Sequence, residues 1–175
     1  MTIDKSTAMG KQLDSGDNLK TPEYLKEWRG LYMRNGDQIV EALQEDIEVA
    51  QSYPKVKDKG TLVAGRRITI MCRKDTYYVN EEVRVIHVLD VIESGQQIFI
   101  MGPKAVVGEY VDDRAIASED SGKPNLYDGR VINSPGLDYN YDITTYSFPT
   151  PGRHTIHWQM GELRSNTLEL KIVAL

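Results

Sequence analysis

The sequence has a single cysteine, Cys72, and no long apolar segment. One cysteine excludes a disulfide within the chain, which fits a reducing compartment. No run of about 18 apolar residues occurs, so no transmembrane helix is expected. Residues 1–20 also lack the apolar stretch of a signal peptide. We therefore expect a soluble, cytoplasmic protein.

Positive charge is scarce as well. The 21 Lys and Arg residues are outnumbered by 26 Asp and Glu residues, which gives a net charge of −5. The densest basic group, between Lys55 and Arg67, is interrupted by Asp58 and Gly60. Nucleic-acid phosphates and anionic lipid headgroups both attract cationic surfaces. We therefore expect neither nucleic-acid binding nor membrane binding.

The sequence motifs of common enzymes and cofactor sites are missing too. There is no Gly-x-Ser-x-Gly elbow, no phosphate-binding glycine loop and no His-Glu-x-x-His helix. No His-x-His or Cys-x-x-Cys spacing indicates a metal site. Cys72 has apolar neighbours in a predicted strand, which favours a small buried residue over a nucleophile. We expect no cofactor, and the sequence leaves enzymatic activity open.

The N-terminal part carries a helical pattern. Residues 1–20 are polar and predict a flexible tail. Residues 21–23 (Thr-Pro-Glu) form a helix-capping sequence. Apolar residues then recur at spacings of three and four, in two stripes separated by Asn35-Gly36. Residues 21–53 are thus predicted to be a helical extension, with two short helices or one kinked helix over residues 22–52. The extension docks on its own domain or forms a homodimer through residues 22–52.

From about residue 60 the apolar period changes to two. Residues 83–90 carry apolar side chains on both faces, as in a central strand. Seven or eight strands with turns at near-regular spacing are expected over residues 60–175, which is typical of a β-sandwich. Residues 112–140 are rich in Gly and Pro and form an unusually long irregular connection, a feature that is often functional.

Three segments of this region carry a recognisable pattern: residues 148–158 (FPTPGRHTIHW), 163–170 (LRSNTLEL) and 74–83 (KDTYYVNEEV). The first two resemble the final hairpin of bacterial immunoglobulin-like domains, which are similar to fibronectin type III-like β-sandwiches, and the third resembles the link between the first two strands of such domains. The resemblance implies a mostly β, antiparallel immunoglobulin-like β-sandwich. Intracellular proteinase inhibitors are among these relatives, although no inhibitory loop matches. On this register His154 points inward and His157 outward.

Tyrosines gather in and beside the long connection. Tyrosine offers rigid contact area with a polar tip and is enriched at interfaces. Ordinary cross-strand packing is the alternative reading. The predicted recognition surface of the 109–142 region, for a protein or a small ligand, comprises Tyr110, Tyr127, Tyr139, Tyr141 and Tyr146.

A calcium site is a second candidate. The D-x-N-x-D spacing of calcium loops occurs at Asp138, Asn140 and Asp142. The rest of the EF-hand pattern fails, because Ile143 stands where the loop needs glycine and Pro149 where it needs glutamate.

Acid–base chemistry is a third candidate, in a pocket between the sandwich and the predicted helices. The residues that would serve it are His87, Glu109, Asp142 and His157. Convergence of these groups requires the fold, since they lie far apart in sequence.

Three functions follow from these patterns. The first is a non-catalytic binding module that recognises a protein or a small ligand through the 109–142 loop region. The second is a small-molecule enzyme or carrier with a pocket between sandwich and helices. The third, which rests on the resemblance alone, is an intracellular protease inhibitor. The long connection, its tyrosines and the missing catalytic motifs favour the first.

Overall fold

The computed structural model describes residues 21–117 and 130–175. The predicted tail, residues 1–20, lies outside the described residues. The first described segment contains a 3-10 turn at Glu23–Lys26, strands β1 (Tyr32–Asn35) and β2 (Gln38–Glu41), helix α1 (Gln44–Gln51) and a second 3-10 turn at Tyr53–Lys55. No helix within these ranges is long and apolar enough to cross a membrane.

Twelve further strands follow in the described residues. In chain order they are β3 (Arg66–Met71), β4 (Thr76–Tyr78), β5 (Val83–Val91), β6 (Gln97–Phe99), β7 (Glu109–Val111), β8 (Arg114–Ala115), β9 (Val131–Asn133), β10 (Gly136–Asp138), β11 (Thr144–Tyr146), β12 (Gly152–Met160), β13 (Leu163–Arg164) and β14 (Leu168–Val173).

Most of these strands belong to two sheets. In the first sheet, β5 pairs with β3 along one edge and with β10 and β11 along the other. The second sheet has the order β4-β14-β12-β7-β8, with β13 also paired to β12. All pairings are antiparallel except that of β4 with β14, and β6 and β9 form a separate ribbon.

This strand pairing is that of an immunoglobulin-like sandwich. Such a fold places its strands A, B and E in one sheet and its strands C, F and G in the other. Strands β3, β5 and β11 pair as the first set, and β7, β12 and β14 as the second. The predicted fold class, a mostly β antiparallel sandwich, is therefore confirmed.

The main core lies between the two sheets. Alternate residues of β5 point into it, among them Val83, Val85 and Leu89. Trp158 and Ile156 of β12 face them from the second sheet and are almost fully buried. Because successive side chains of a strand point to opposite faces, the other residues of β5 lie on the outer face of the first sheet.

The N-terminal extension covers that outer face. Leu31, Ile47 and Tyr53 of the extension pack in one buried cluster with Ile86 and Val88 of β5. This second core explains why β5 is apolar on both faces. Most apolar side chains of the extension are thus covered within the chain, whereas Trp28 and Leu43 are exposed. The homodimer through residues 22–52 stays a prediction.

The extension contains a helix, α1, but residues 32–41 form the hairpin β1–β2, so the prediction of two short helices or one kinked helix is wrong there. Asn35 pairs with Gln38, so the turn of this hairpin is the two-residue loop Gly36-Asp37, and Gly36 has a φ of 65°. The first central residue of a two-residue hairpin turn needs a positive φ, which glycine adopts without strain. The apolar spacing of three and four therefore did not reflect a helix in this segment.

A buried carboxylate anchors the extension to the first sheet. Asp90 of β5 is fully buried and accepts hydrogen bonds from the hydroxyls of Tyr53 at 2.7 Å and Tyr24 at 3.0 Å. Arg67 of β3 donates to the same carboxylate at 3.1 Å. Burial and the charge of Asp90 raise the pKa of both tyrosines, so both stay protonated and donate.

Candidate functional site

A pocket of about 360 Å³ opens where the two sheets meet the hairpin β1–β2. Its volume lies at the small end of the range for ligand pockets, roughly 300–1,000 Å³. The walls come from β1, β5, the residues on both sides of β7–β8, and β11. The polar lining residues are Arg34, Arg84, Glu109, Asp142, Thr144, Thr145 and Tyr146. The apolar lining includes Met33, Val106, Ile116 and Ile143.

Glu109 lies in the wall of this pocket with only 3% of its surface exposed. It pairs with Trp158 in the sheet register, so its side chain points toward the first sheet, as that of Trp158 does. One carboxylate oxygen, Oε2, is 2.7 Å from Nε2 of His87 on β5. The other, Oε1, accepts hydrogen bonds from the hydroxyls of Thr144 at 2.7 Å and Tyr146 at 2.5 Å.

These contacts set the charge state of Glu109. Burial by itself raises the pKa of the carboxyl group. The charge of His87 and the hydrogen bonds from His87, Tyr146 and Thr144 lower it, and their combined effect is the larger. The pKa of Glu109 is therefore below its usual value, and the group is a carboxylate near neutral pH.

Arg34 reaches the pocket from β1 and lies against Asp142. Its Nε is 3.4 Å from Oδ1 of Asp142, and its Nη2 donates to the carbonyl of Pro103 at 2.8 Å. Both side chains of the ion pair are mostly buried. The hairpin β1–β2 is thereby linked to the residue that precedes β11.

Arg84 enters the pocket from β5, on the face that the extension covers. Its Nη2 donates to Oδ2 of Asp46 at 2.8 Å, and its Nε lies 3.0 Å and 3.1 Å from the two oxygens of that carboxylate. Its Nη1 donates to Glu82 at 3.1 Å. Asp46 belongs to α1 and is 3% exposed, so this guanidinium also ties the extension to the sheet.

Three of the four acid–base candidates lie at or beside this pocket. His87 contacts Glu109 directly, and Asp142 lines the same pocket. His157 and Tyr110 form the pair next to that of Trp158 and Glu109. The side chain of His157 therefore points to the opposite face of the second sheet from that of Glu109. There it stacks on Tyr110 with ring centroids 4.8 Å apart. Burial and the charge of Arg164 lower the pKa of His157.

The predicted recognition tyrosines do not gather on one surface. Tyr146 lines the pocket and Tyr110 lies on the outer face of the second sheet. Tyr141 belongs to the core between the sheets and Tyr139 to the core beneath the extension. Tyr127 lies outside the described residues.

Tyr139 and Tyr141 are buried by aromatic neighbours. Tyr139 is 5% exposed and packs on Trp28 and Tyr53. Tyr141 is 6% exposed and meets Trp158 edge-on at 5.0 Å. Alanine at either position would therefore report on packing first, and Tyr110 and Tyr146 are the better positions for testing partner contact.

The calcium candidates are engaged by protein groups. Oδ2 of Asp138, a residue that is 1% exposed, lies 2.8 Å from the ammonium of Lys104. Burial raises the pKa of Asp138 despite this charge. The amide of Asn140 donates to the carbonyl of Ile100, and Asp142 pairs with Arg34. Over residues 21–117 and 130–175, no group of three or more His, Cys, Asp and Glu is arranged to hold a metal ion.

Cys72 behaves as a structural residue in this geometry. It is half-buried, and its thiol donates a hydrogen bond to the carbonyl of Lys74 at 3.1 Å. Burial raises the pKa of the thiol, which disfavours the reactive thiolate.

Sequence reasoning missed Arg34, Arg84 and Thr144. A signal existed for Arg84, because a charged residue inside a mostly apolar central strand requires a partner for its charge. Arg34 and Thr144 carry no comparable signal, since both occur in ordinary polar surroundings in the sequence.

Comparisons with known proteins add little to this picture. No protein-family model and no curated protein matches the chain. One similar solved structure is the CARDB domain of a Pyrococcus furiosus protein in complex with di-metal ions, which is 10% identical over 69% of this chain and 99% of that domain, with a TM-score of 0.37. At that TM-score the likeness does not bear on the function of this chain.

Proposed function

We propose that this protein is a non-catalytic binding module whose ligand is a small molecule bound in the pocket between the sandwich and the hairpin β1–β2. The observation that carries the proposal is a buried carboxylate, Glu109, held in the wall of a pocket of about 360 Å³. Ligand pockets combine apolar walls with a few fixed polar groups, and this pocket has both. Both ends of the long 109–142 region contribute lining residues to this pocket, among them Glu109 and Asp142.

The geometry of Glu109 favours binding over acid–base catalysis. A general base works best when its pKa lies near the operating pH. The pKa of Glu109 is lowered, and three donors occupy its oxygens: His87, Thr144 and Tyr146. A carboxylate held in this way orients its neighbours and keeps its charge. Nothing in the described parts of the chain favours the protease-inhibitor alternative.

The test compares the wild-type protein with a variant whose pocket is filled. Thr145 is exposed, lines the pocket and belongs to an edge strand, so Thr145→Trp adds bulk there without touching the core. Thermal unfolding is measured with n-butylammonium, n-butyrate, glucose, inorganic phosphate and adenosine monophosphate. A ligand at about 100 times its Kd stabilises by about 2.7 kcal/mol, which corresponds to about 5–10 °C in Tm for a chain of this size.

At least one probe is expected to raise the Tm of the wild type, and Thr145→Trp is expected to abolish that rise. Thr76→Trp is the matched control, because Thr76 is also an exposed strand threonine but lies on β4, away from the pocket. It should respond like the wild type. If the probes shift the Tm of all three proteins equally, or shift the Tm of none of them, the pocket is not the binding site.

A further inference from the structure

We infer that the pocket takes a small alkylammonium ligand, that is, a primary amine in its protonated form on a short apolar chain. This inference rests on the proposed function, since it names the ligand class of the same pocket. Its observations are the direction of the hydroxyl hydrogen bonds, the balance of charge around the pocket and the apolar part of its wall.

Two of the three hydroxyl groups in the wall, those of Thr144 and Tyr146, act as acceptors toward a ligand. An ionised carboxylate can only accept, so the hydrogen bonds of Thr144 and Tyr146 to Glu109 are donated by the hydroxyls. Each hydroxyl has one proton, and in both residues that proton points at Oε1 of Glu109. Any further hydrogen bond of these oxygens must therefore be accepted. A ligand that contacts them has to bring donors.

The charges around the pocket have a negative excess. Four carboxylates lie in its wall or bind its arginines: Asp46, Glu82, Glu109 and Asp142. They face two guanidiniums, those of Arg34 and Arg84. A proton on His87 would balance only one of the two surplus negative charges. A cationic ligand reduces this excess, whereas an anionic ligand increases it.

An anionic ligand held by the two arginines is the competing assignment. Both guanidiniums already bind carboxylates: Arg34 is 3.4 Å from Asp142, and Arg84 binds Asp46 at 2.8 Å. An anion would compete with those partners for the same donors and would approach Glu109 and Asp142 at the same time. Like charges at close range disfavour such binding.

The apolar wall defines the rest of the ligand. Met33, Val106, Ile116 and Ile143 lie in the same pocket as the acceptors. They can cover a chain of a few methylene groups, and burying these groups away from water is favourable. The volume of about 360 Å³ limits the ligand to a small molecule.

The experiment compares three probes that share one chain and differ in the head group: n-butylammonium, n-butanol and n-butyrate. Binding is measured by isothermal titration calorimetry at pH 7 with the full chain. We expect n-butylammonium to bind at least about tenfold more tightly than n-butyrate, because one hydrogen bond from a charged donor corresponds to about a tenfold change in Kd or more. n-Butanol should fall between them.

The Asp142→Asn substitution removes one negative charge from the pocket and keeps the shape of the side chain. We expect it to weaken n-butylammonium about tenfold and to strengthen n-butyrate, because it removes one carboxylate that attracts a cation and repels an anion. A damaged fold would weaken both probes, so opposite changes identify the charge effect. Asp37→Asn is the matched control, because Asp37 is exposed in the β1–β2 turn outside the pocket and its substitution changes the net charge equally.

The outcomes separate this inference from the proposed function. Tighter binding of n-butyrate, or of any anion, with loss of that binding in Thr145→Trp, would overturn the amine assignment and leave the pocket as the site. Binding of n-butylammonium that Thr145→Trp does not affect would contradict both. Equal changes in Asp142→Asn and Asp37→Asn would also overturn the assignment.

Discussion

Replacing Glu109 with alanine is expected to lower the free energy of unfolding by about 3–5 kcal/mol, the usual cost of removing one partner from a buried charge pair. The substitution leaves His87 buried without its partner at 2.7 Å, and it deprives the hydroxyls of Thr144 and Tyr146 of their acceptor. Urea unfolding followed by circular dichroism measures the change. Glu169→Ala is the control, because Glu169 is exposed on strand β14 and should be nearly neutral.

Lowering the pH should reveal how much the ionised carboxylate of Glu109 contributes to stability. Because the pKa of Glu109 is lower in the folded protein than its usual value of 4.5, its stabilising contribution is complete above about pH 4.5 and is lost as the pH falls through the lowered pKa. Glu109→Gln keeps the shape and cannot titrate. The stability gap between the wild type and Glu109→Gln should therefore close below that pH. A gap that stays constant from pH 7 to pH 3, or a loss below 1 kcal/mol in Glu109→Ala, would contradict the charge pair.

Asp90→Ala should cost a similar amount, about 3–5 kcal/mol, and should loosen the N-terminal extension. The carboxylate of Asp90 joins two hydroxyls of the extension, those of Tyr24 and Tyr53, to Arg67 of the first sheet. Without it, the guanidinium and both hydroxyls lose a buried acceptor. Equilibrium unfolding gives the stability, and hydrogen exchange of residues 44–51 gives the local effect on α1.

Two further variants are expected to have smaller effects than Asp90→Ala. Tyr53→Phe removes one hydrogen bond of the set and should cost about 1 kcal/mol. Asp37→Ala removes an exposed aspartate of the same extension and should cost little. Protection of α1 that is unchanged in Asp90→Ala would show that apolar packing alone holds the extension on the sheet.

The strands of the sandwich could be predicted from local pattern. Period-two alternation marks β3 and β5, and the hairpin of β12 with β14 lies where the immunoglobulin-like resemblance placed it. Apolar residues on both faces of β5 correctly indicated a central strand. Such features are readable because the side-chain period of a strand depends only on neighbouring residues.

The hairpin β1–β2 shows where local pattern misled. Its apolar residues repeat at helical spacing, yet Gly36-Asp37 was also a signal for a two-residue hairpin turn. Tertiary packing decides between the two, because Leu31 on one side and Ala42 on the other lie buried against the first sheet. A four-residue strand offers too few positions for its period to be read with certainty.

The candidate site could not be predicted from the sequence, because its residues lie far apart in the sequence and meet only in the fold. His87 and Glu109 are 22 residues apart and meet across the two sheets. Arg34 and Asp142 are 108 residues apart. The sequence supplied the residue types of this site, with His87, Glu109, Asp142 and Tyr146 all among the candidates. Only the fold shows that they adjoin one pocket and that His157 lies on another face.

Native mass spectrometry on the protein gently purified from its own host tests the central claim most directly. The wild type, Thr76→Trp and Thr145→Trp are compared under the same conditions. If the pocket holds a small ligand, the wild type and Thr76→Trp should carry the same added mass of a small molecule, and Thr145→Trp should lack it. An identical mass spectrum for all three proteins, apart from the substitutions themselves, would contradict the assignment of this pocket as the binding site.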